Sequence, residues 1–117
     1  MKDSSKLKNK LRARRVIRVR SRIFGTAVKP RLAVFKSLKH LSVQAINDES
    51  GKTLASASDR EVKGETKLLA AKALGEAMAK KLAAQGLTAG VFDKRHYKYH
   101  GLVKAVAEGL RAGNLKI

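Results

Sequence analysis

Three runs of alternating residues, followed by a change of period at Thr66, constrain this chain more than any other feature of it. In "RLAVFKS", Leu32 and Val34 fall on one face and Ala33 and Phe35 on the other. In "HLSVQAI", Leu41, Val43 and Ala45 oppose His40, Ser42, Gln44 and Ile46. A two-residue period marks a half-buried strand, and few residues separate the runs, so together they predict a hairpin. "NDESG" carries turn chemistry, with Gly51 able to take positive φ. "KTLASAS" then supplies a third strand. After the polar loop "DREVKGE", Leu68, Ala71, Gly75, Met78 and Leu82 recur at helical spacing, and Gly86 is a stop signal. "LTAGVFD" gives a short fourth strand, and Val103, Val106, Ala107 and Leu110 a second amphipathic helix ending near Gly113. A strand–helix–strand connection implies a crossover and a parallel pairing for the fourth strand. The predicted fold class is α/β (α+β): a mixed four-stranded sheet, three antiparallel strands then helix–strand–helix, with a basic N-terminal arm.

The arm, residues 1–25, differs in kind from the globular mixed α/β domain expected over 26–117. Ten of the 27 cations lie in its first 24 residues, against the single acid Asp3. Arg18, Arg20 and Arg22 alternate as in a strand, whereas Arg12, Arg15 and Arg22 approach one another on a helix. We read the arm as helical or disordered when free, because its cations repel one another, and as ordering on a partner. "GTAVKP" is the boundary, with Gly25 breaking the arm and Pro30 forcing Lys29 into an extended conformation. At 117 residues one domain is expected, and with aromatics at only 4% its core must be aliphatic.

Charge narrows the function. The formal net charge is +18, which repels other copies and attracts polyanions, nucleic acid first and an anionic membrane second. The absence of Cys excludes disulfides, thiolate zinc sites and a Cys nucleophile. No apolar run approaches the roughly 18 residues of a membrane span, and the N-terminus lacks the apolar region of a secretory signal. It is Arg-rich and acid-poor, as transit peptides are, so an organelle stays open beside the cytoplasm.

Enzymatic chemistry finds no constellation. His96 and His100 stand at i,i+4, but Lys94, Arg95 and Lys98 make their surroundings hostile to a divalent cation. A metal-dependent nuclease needs clustered carboxylates. Only Asp93 sits at a strand end beside the basic segment, where capping or pairing with Lys94 or Arg95 explains it. No nucleophile elbow and no glycine-rich phosphate loop is present. No cofactor, metal or small-molecule substrate is expected. Recognition remains: Arg forks in the arm for phosphates; Ser37, His40 and Gln44 as neutral donors near strand ends; and Tyr97 and Tyr99 alternating with Lys94, Arg95, His96, Lys98 and His100, which offers stacking beside phosphate contacts. Each Lys of the long helix, Lys72, Lys80 and Lys81 included, is expected on a solvated face. An architectural DNA-binding protein and a nuclease are the rival readings.

"GTAVKPRLAVFKSLKHLSVQAINDESGKTLASAS" and "VFDKRHYKYHGLVKAVAEGLRAGNLKI" resemble the bacterial large-subunit ribosomal protein eighteen family, the 5S rRNA binders. Gly25-Thr26 before Pro30-Arg31-Leu32, then Ser37 and His40, Phe92-Asp93 and Tyr99-His100-Gly101 are jointly specific, and the resemblance covers nearly the whole chain. It implies a non-enzymatic constituent of the large ribosomal subunit that binds 5S rRNA, with 23S rRNA and a neighbouring 5S-binding ribosomal protein as further partners. Carried over residue by residue, it places RNA contacts at Arg12, Arg14, Arg15, Arg18, Arg20 and Arg22 of the arm. It places others at Arg31, Lys36, Ser37, Lys39, His40 and Gln44 of the strand motif, and at Tyr97, Tyr99, His100 and Lys104 of the final motif. The chain departs from the family pattern at Arg95 and His96, where two glycines are usual. It departs also at Leu102, often Arg, at Ser42, commonly aromatic, at Lys36, commonly Arg, and in a shortened loop from Asp59 to Glu65. Phosphate contacts by Arg95 and His96 are expected to compensate for the Arg absent at Leu102.

Overall fold

The computed structural model describes residues 4–20 and 23–117, with side chains for 6–17 and 23–117. Its elements run α1 (Ser4–Arg20), β1 (Arg31–Lys36), β2 (Leu41–Asn47), β3 (Lys52–Ser58), a 3₁₀ turn (Asp59–Glu61), α2 (Lys67–Ala84), β4 (Val91–Asp93) and α3 (Gly101–Ala112). The four strands form one sheet in the order β3-β2-β1-β4. β1 pairs antiparallel with β2 in the register Val34↔Val43, and parallel with β4 in the register Leu32↔Phe92. The predicted mixed sheet and its parallel fourth strand are therefore present.

One face of the sheet carries the core. Leu32, Val34, Leu41, Val43, Ala45 and Ala57 pack there against Ala71, Leu74, Met78 and Leu82 of α2 and against Val103, Val106 and Leu110 of α3. Each fully buried Leu or Val adds about 1.5–3 kcal/mol, so an aliphatic core suffices without aromatics. Leu68 is a correction to the helical stripe. It lies in the first turn of α2, beyond the sheet, and is 54% exposed. The start of α2 is set by Thr66, whose Oγ accepts the Leu69 N–H at 3.2 Å. Its end is set by Gly86, whose φ of 77° lets Leu87 N–H reach back to the Leu82 carbonyl.

Small residues bring α2 and α3 together. A Cβ on Gly109 would collide with the Lys72 carbonyl oxygen, and one on Gly75 with the Val106 carbonyl oxygen. Both obstacles are backbone and cannot swing aside. Gly109→Ala and Gly75→Ala are each expected to lower stability by about 1–3 kcal/mol through overpacking. A urea titration reads this, and an unchanged midpoint would show that the helices can separate at no cost.

β3 is an edge strand, and α2 reaches over to cover it. Lys81 Nζ donates to the Ser56 carbonyl at 2.8 Å and to Glu61 at 2.9 Å, and Gln85 Nε2 donates to the Leu54 carbonyl at 2.9 Å. Lys81 lies on an exposed face, as expected from sequence, but its ammonium is engaged there by β3 and Glu61. At the opposite edge the C-terminal segment bridges Ala89 through Lys116, which bonds to Thr88 and Gly90.

Candidate nucleic-acid interface

The second face of the sheet carries no helix from the α2–α3 pair. Ser42, Gln44 and Ile46 of β2 point to it and are half-buried. Phe35 of β1 lies opposite Ser42, and Ser58 of β3 flanks Ser42 on the other side. The β1–β2 turn, the end of β3 and the segment 94–100 rise around this end of the face. Together they enclose an open cleft of about 490 Å³ lined by Lys36, Ser37, His40, Arg95 and Tyr97 among the predicted residues.

Each wall is held by identifiable bonds. Ser37 Oγ donates to the His40 carbonyl at 3.1 Å and accepts the His40 N–H at 3.2 Å, so this hydroxyl closes the turn. His40 Nδ1 meets Asp59 Oδ1 at 3.1 Å, and Asp59 Oδ2 accepts the Leu41 N–H at 3.0 Å. Asp59 therefore orients the imidazole and leaves Nε2 without a partner among the described residues. Tyr97 inserts its hydroxyl between the Lys36 N–H, at 2.8 Å, and the Lys36 carbonyl, at 3.0 Å. The tyrosine ring extends the end of β1 and packs against the core, which makes it a fixed wall.

At the start of β1 lies an ionic clamp. Arg31 donates from Nε to Asp48 at 3.0 Å, from Nη2 to Asp48 at 3.2 Å and from Nη1 to Asp93 at 2.7 Å. Arg31 is only 7% exposed and Asp93 fully buried. Burial works against the guanidinium charge, but the hydrogen bonds and negative charges of Asp48 and Asp93 outweigh it and raise the Arg31 pKa. Two expectations change here. Arg31 is an internal clamp rather than a surface contact, because its fork is filled by carboxylates. Asp93 pairs with Arg31, not with the side chain of Lys94 or Arg95. Asp93 also accepts the Arg95 N–H at 2.8 Å, and Asp48 accepts the Gly25 N–H at 2.8 Å. One clamp thus fixes both the exit of the arm and the start of the 94–100 segment.

That segment is shaped by Arg95, whose φ of 58° is unusual for a residue with a side chain. The turn folds its guanidinium over the Phe35 ring, 4.4 Å from the centroid. His96 stacks against Tyr97 with centroids 4.2 Å apart, and its Nδ1 is buried without a hydrogen-bond partner. Burial first, then the charges of Arg95, Arg12, Arg15 and Lys94, hold its pKa below the ordinary imidazole value. Arg95 thus covers a ring and His96 turns one nitrogen inward. Leu102 packs at the margin of the core.

The remaining predicted residues are dispersed. Arg12, Arg14 and Arg15 are exposed on α1. The side chains of Arg18 and Arg20, and Arg22 altogether, lie outside the described residues. Lys39 is exposed at the β1–β2 turn, and Gln44 lies further along the open face. Lys94 turns back to bond the Tyr97 carbonyl at 3.1 Å. Tyr99 is 41% exposed, meets Phe92 edge-on and accepts a bond from Arg111 at 3.1 Å. His100 and Lys104 line a different groove, between the first turns of α2 and α3. Sequence reasoning missed Ser42, Ser58 and Arg60, which also line the cleft. Ser42 shares the two-residue period with Gln44 and was within reach. Ser58 and Arg60 required the β2–β3 register.

Among the described residues no three His or carboxylate side chains converge on a common point, and no helix is long and apolar enough to cross a membrane. The family profile of ribosomal L18 from archaea, bacteria, mitochondria and chloroplasts matches residues 6–117. The chain belongs to the ribosomal L18 family. Relatives named large ribosomal subunit protein uL18 include one from Lactiplantibacillus plantarum, 50% identical over 93% of this chain and 94% of its own. Another, from a Sulfurovum strain, is 46% identical over 99% of this chain and 98% of its own. A third, from Desulfatibacillum aliphaticivorans, is 45% identical over 93% and 94%. As a member of the L18 family the chain has a structural ribosomal role and is not an enzyme.

Proposed function

We propose that this L18-family protein binds 5S rRNA within the large ribosomal subunit and helps attach that RNA to 23S rRNA, beside a neighbouring 5S-binding ribosomal protein. The observation that carries the reading is the open cleft at the end of the sheet, where Lys36, Arg60 and Arg95 come together from three separate segments beside His40. Cations distant in sequence are thereby gathered beside an open sheet face, the arrangement that a folded polyanion requires. In this reading residues 1–25 are the arm that tracks phosphates, and residues 26–117 are the rigid body that sets the docking register.

Of the predicted contacts, Arg12, Arg14, Arg15, Lys36, Lys39, His40 and Gln44 remain candidates as surface groups, with Arg18, Arg20 and Arg22 proposed from sequence alone. Tyr99, His100 and Lys104 would meet a second stretch of RNA. A-form helices are recognised by shape and backbone, which suits a surface of donors and cations around a rigid sheet. Competition between 5S rRNA and duplex DNA of equal length at matched salt tests the proposal. The 5S rRNA is expected to bind at least about tenfold more tightly, a difference of about 1.4 kcal/mol. Equal affinity would favour a general polyanion binder and sink the reading.

A further inference from the structure

We infer that the cleft between the β1–β2 turn and Arg95 takes one unpaired nucleotide of the bound RNA. The inference rests on the 5S rRNA reading and adds to it what is recognised: a nucleotide out of its helix, rather than duplex backbone alone.

Three observations carry it. The first is size and shape. The cleft measures about 490 Å³, within the range of small-ligand sites of about 300–1,000 Å³, and it opens on the same side as the basic segment 94–100. The second is a stacking surface already in place. The Arg95 guanidinium lies over Phe35, on a left-handed backbone held by the bond from its N–H to buried Asp93. Tyr97 is locked in place by its hydroxyl bonds to Lys36. Nucleobases lifted out of a helix stack on aromatic rings and on Arg planes. A surface fixed before binding loses little entropy when a base arrives.

The third observation is the supply of unspent polar groups. His40 is oriented through Nδ1 by Asp59, which leaves Nε2 for a ligand. Ser42 Oγ and the Arg60 guanidinium line the cleft and bond no described side chain. The one carboxylate in the lining, Glu61, is already engaged by Lys81 and by the Ser58 N–H. The cleft therefore offers stacking at one wall, a hydroxyl and a ring nitrogen for base edges, and a cation at the rim for the attached phosphate. No divalent-ion chemistry is needed, and no covalent step is involved.

The experiment uses the full chain with two hairpin RNAs that differ only in one bulged nucleotide, a 2-aminopurine, alongside intact 5S rRNA. The protein is expected to prefer the bulged hairpin by about tenfold, the worth of one stacked base, and to change the 2-aminopurine fluorescence on binding. Ser42→Phe fills the cleft without altering charge, and an aromatic suits a strand position. Arg95→Lys keeps the charge and removes the plane. Both variants are expected to abolish the preference and the fluorescence change while leaving the salt dependence as it was. If the protein holds 5S rRNA but binds both hairpins equally, or if Ser42→Phe retains the preference, the cleft proposal is wrong and the 5S reading stands. If it binds neither hairpin nor 5S rRNA, both fall together.

Discussion

Replacing Arg31 with Ala is expected to lower the stability of the fold by about 3–5 kcal/mol, the usual consequence of removing one partner from a buried ion pair. Arg31 answers two carboxylates, and its removal takes the guanidinium from the fully buried Asp93. The stability of a small domain is only about 5–15 kcal/mol, so the variant should sit close to its unfolding threshold. Arg31→Lys is expected to recover only part of the loss, because an ammonium cannot bond two carboxylates through a planar fork. Denaturant titration of the single variants Arg31→Ala and Asp93→Ala and of the double variant separates the pair from its surroundings. Strong non-additivity is expected. Additive losses would mean that the two residues act independently, against the 2.7 Å contact between them. The 94–100 segment should loosen as well, since Asp93 also anchors the Arg95 N–H.

Deleting residues 1–20 is expected to weaken 5S rRNA binding by at least about a hundredfold near 0.1 M salt, and to reduce markedly the steepness of its salt dependence. The deleted residues hold nine of the 27 cations and one of the nine acids, so +8 of the net charge of +18 goes with them. If the intact protein neutralises about 6–10 phosphates, its affinity should fall by about three to five decades between about 50 and 200 mM salt. A truncated protein with the same slope would show that α1 touches no phosphate. The helix itself contributes little to the fold that could confound the result, since Leu7 and Ile17 on it are 60% and 68% exposed. Circular dichroism of the truncated chain checks that the sheet and the α2–α3 pair persist.

Much of the architecture was legible because it depends on local periods. The three strands, α2 with its Thr66 start and Gly86 stop, and α3 with buried Val103, Val106, Ala107 and Leu110 all follow from side-chain spacing. The arm was less legible. Its cations fit a strand and a helix about equally, and only the backbone of α1 resolves Ser4–Arg20 as helical. The site was harder still, for a chemical reason. An arginine that grips a phosphate and one that grips a buried carboxylate are the same residue in sequence, and Arg31 is told apart only by its register with Val91 and its nearness to Asp48. Lys81 is exposed as its spacing implied, but its bonds to β3 were not legible, because they depend on how α2 crosses the sheet. The cleft assembles Phe35, Ser42, Arg60 and Arg95 from four separate segments, and no spacing along the chain announces such a convergence.

The covering of β3 by Lys81 and Gln85, matched at the far edge by the C-terminal bridge through Lys116, bears on the life of the chain before it meets its RNA. A sheet with bare margins invites another molecule to add a strand and begin a fibril. Here a newcomer would first have to strip two side-chain donors from the Leu54 and Ser56 carbonyls at one margin, and at the other would find a strand of only three residues. Newly made copies awaiting assembly are therefore kept apart by capped margins as well as by mutual repulsion, and the first kind of protection does not fade when dissolved salt damps the second.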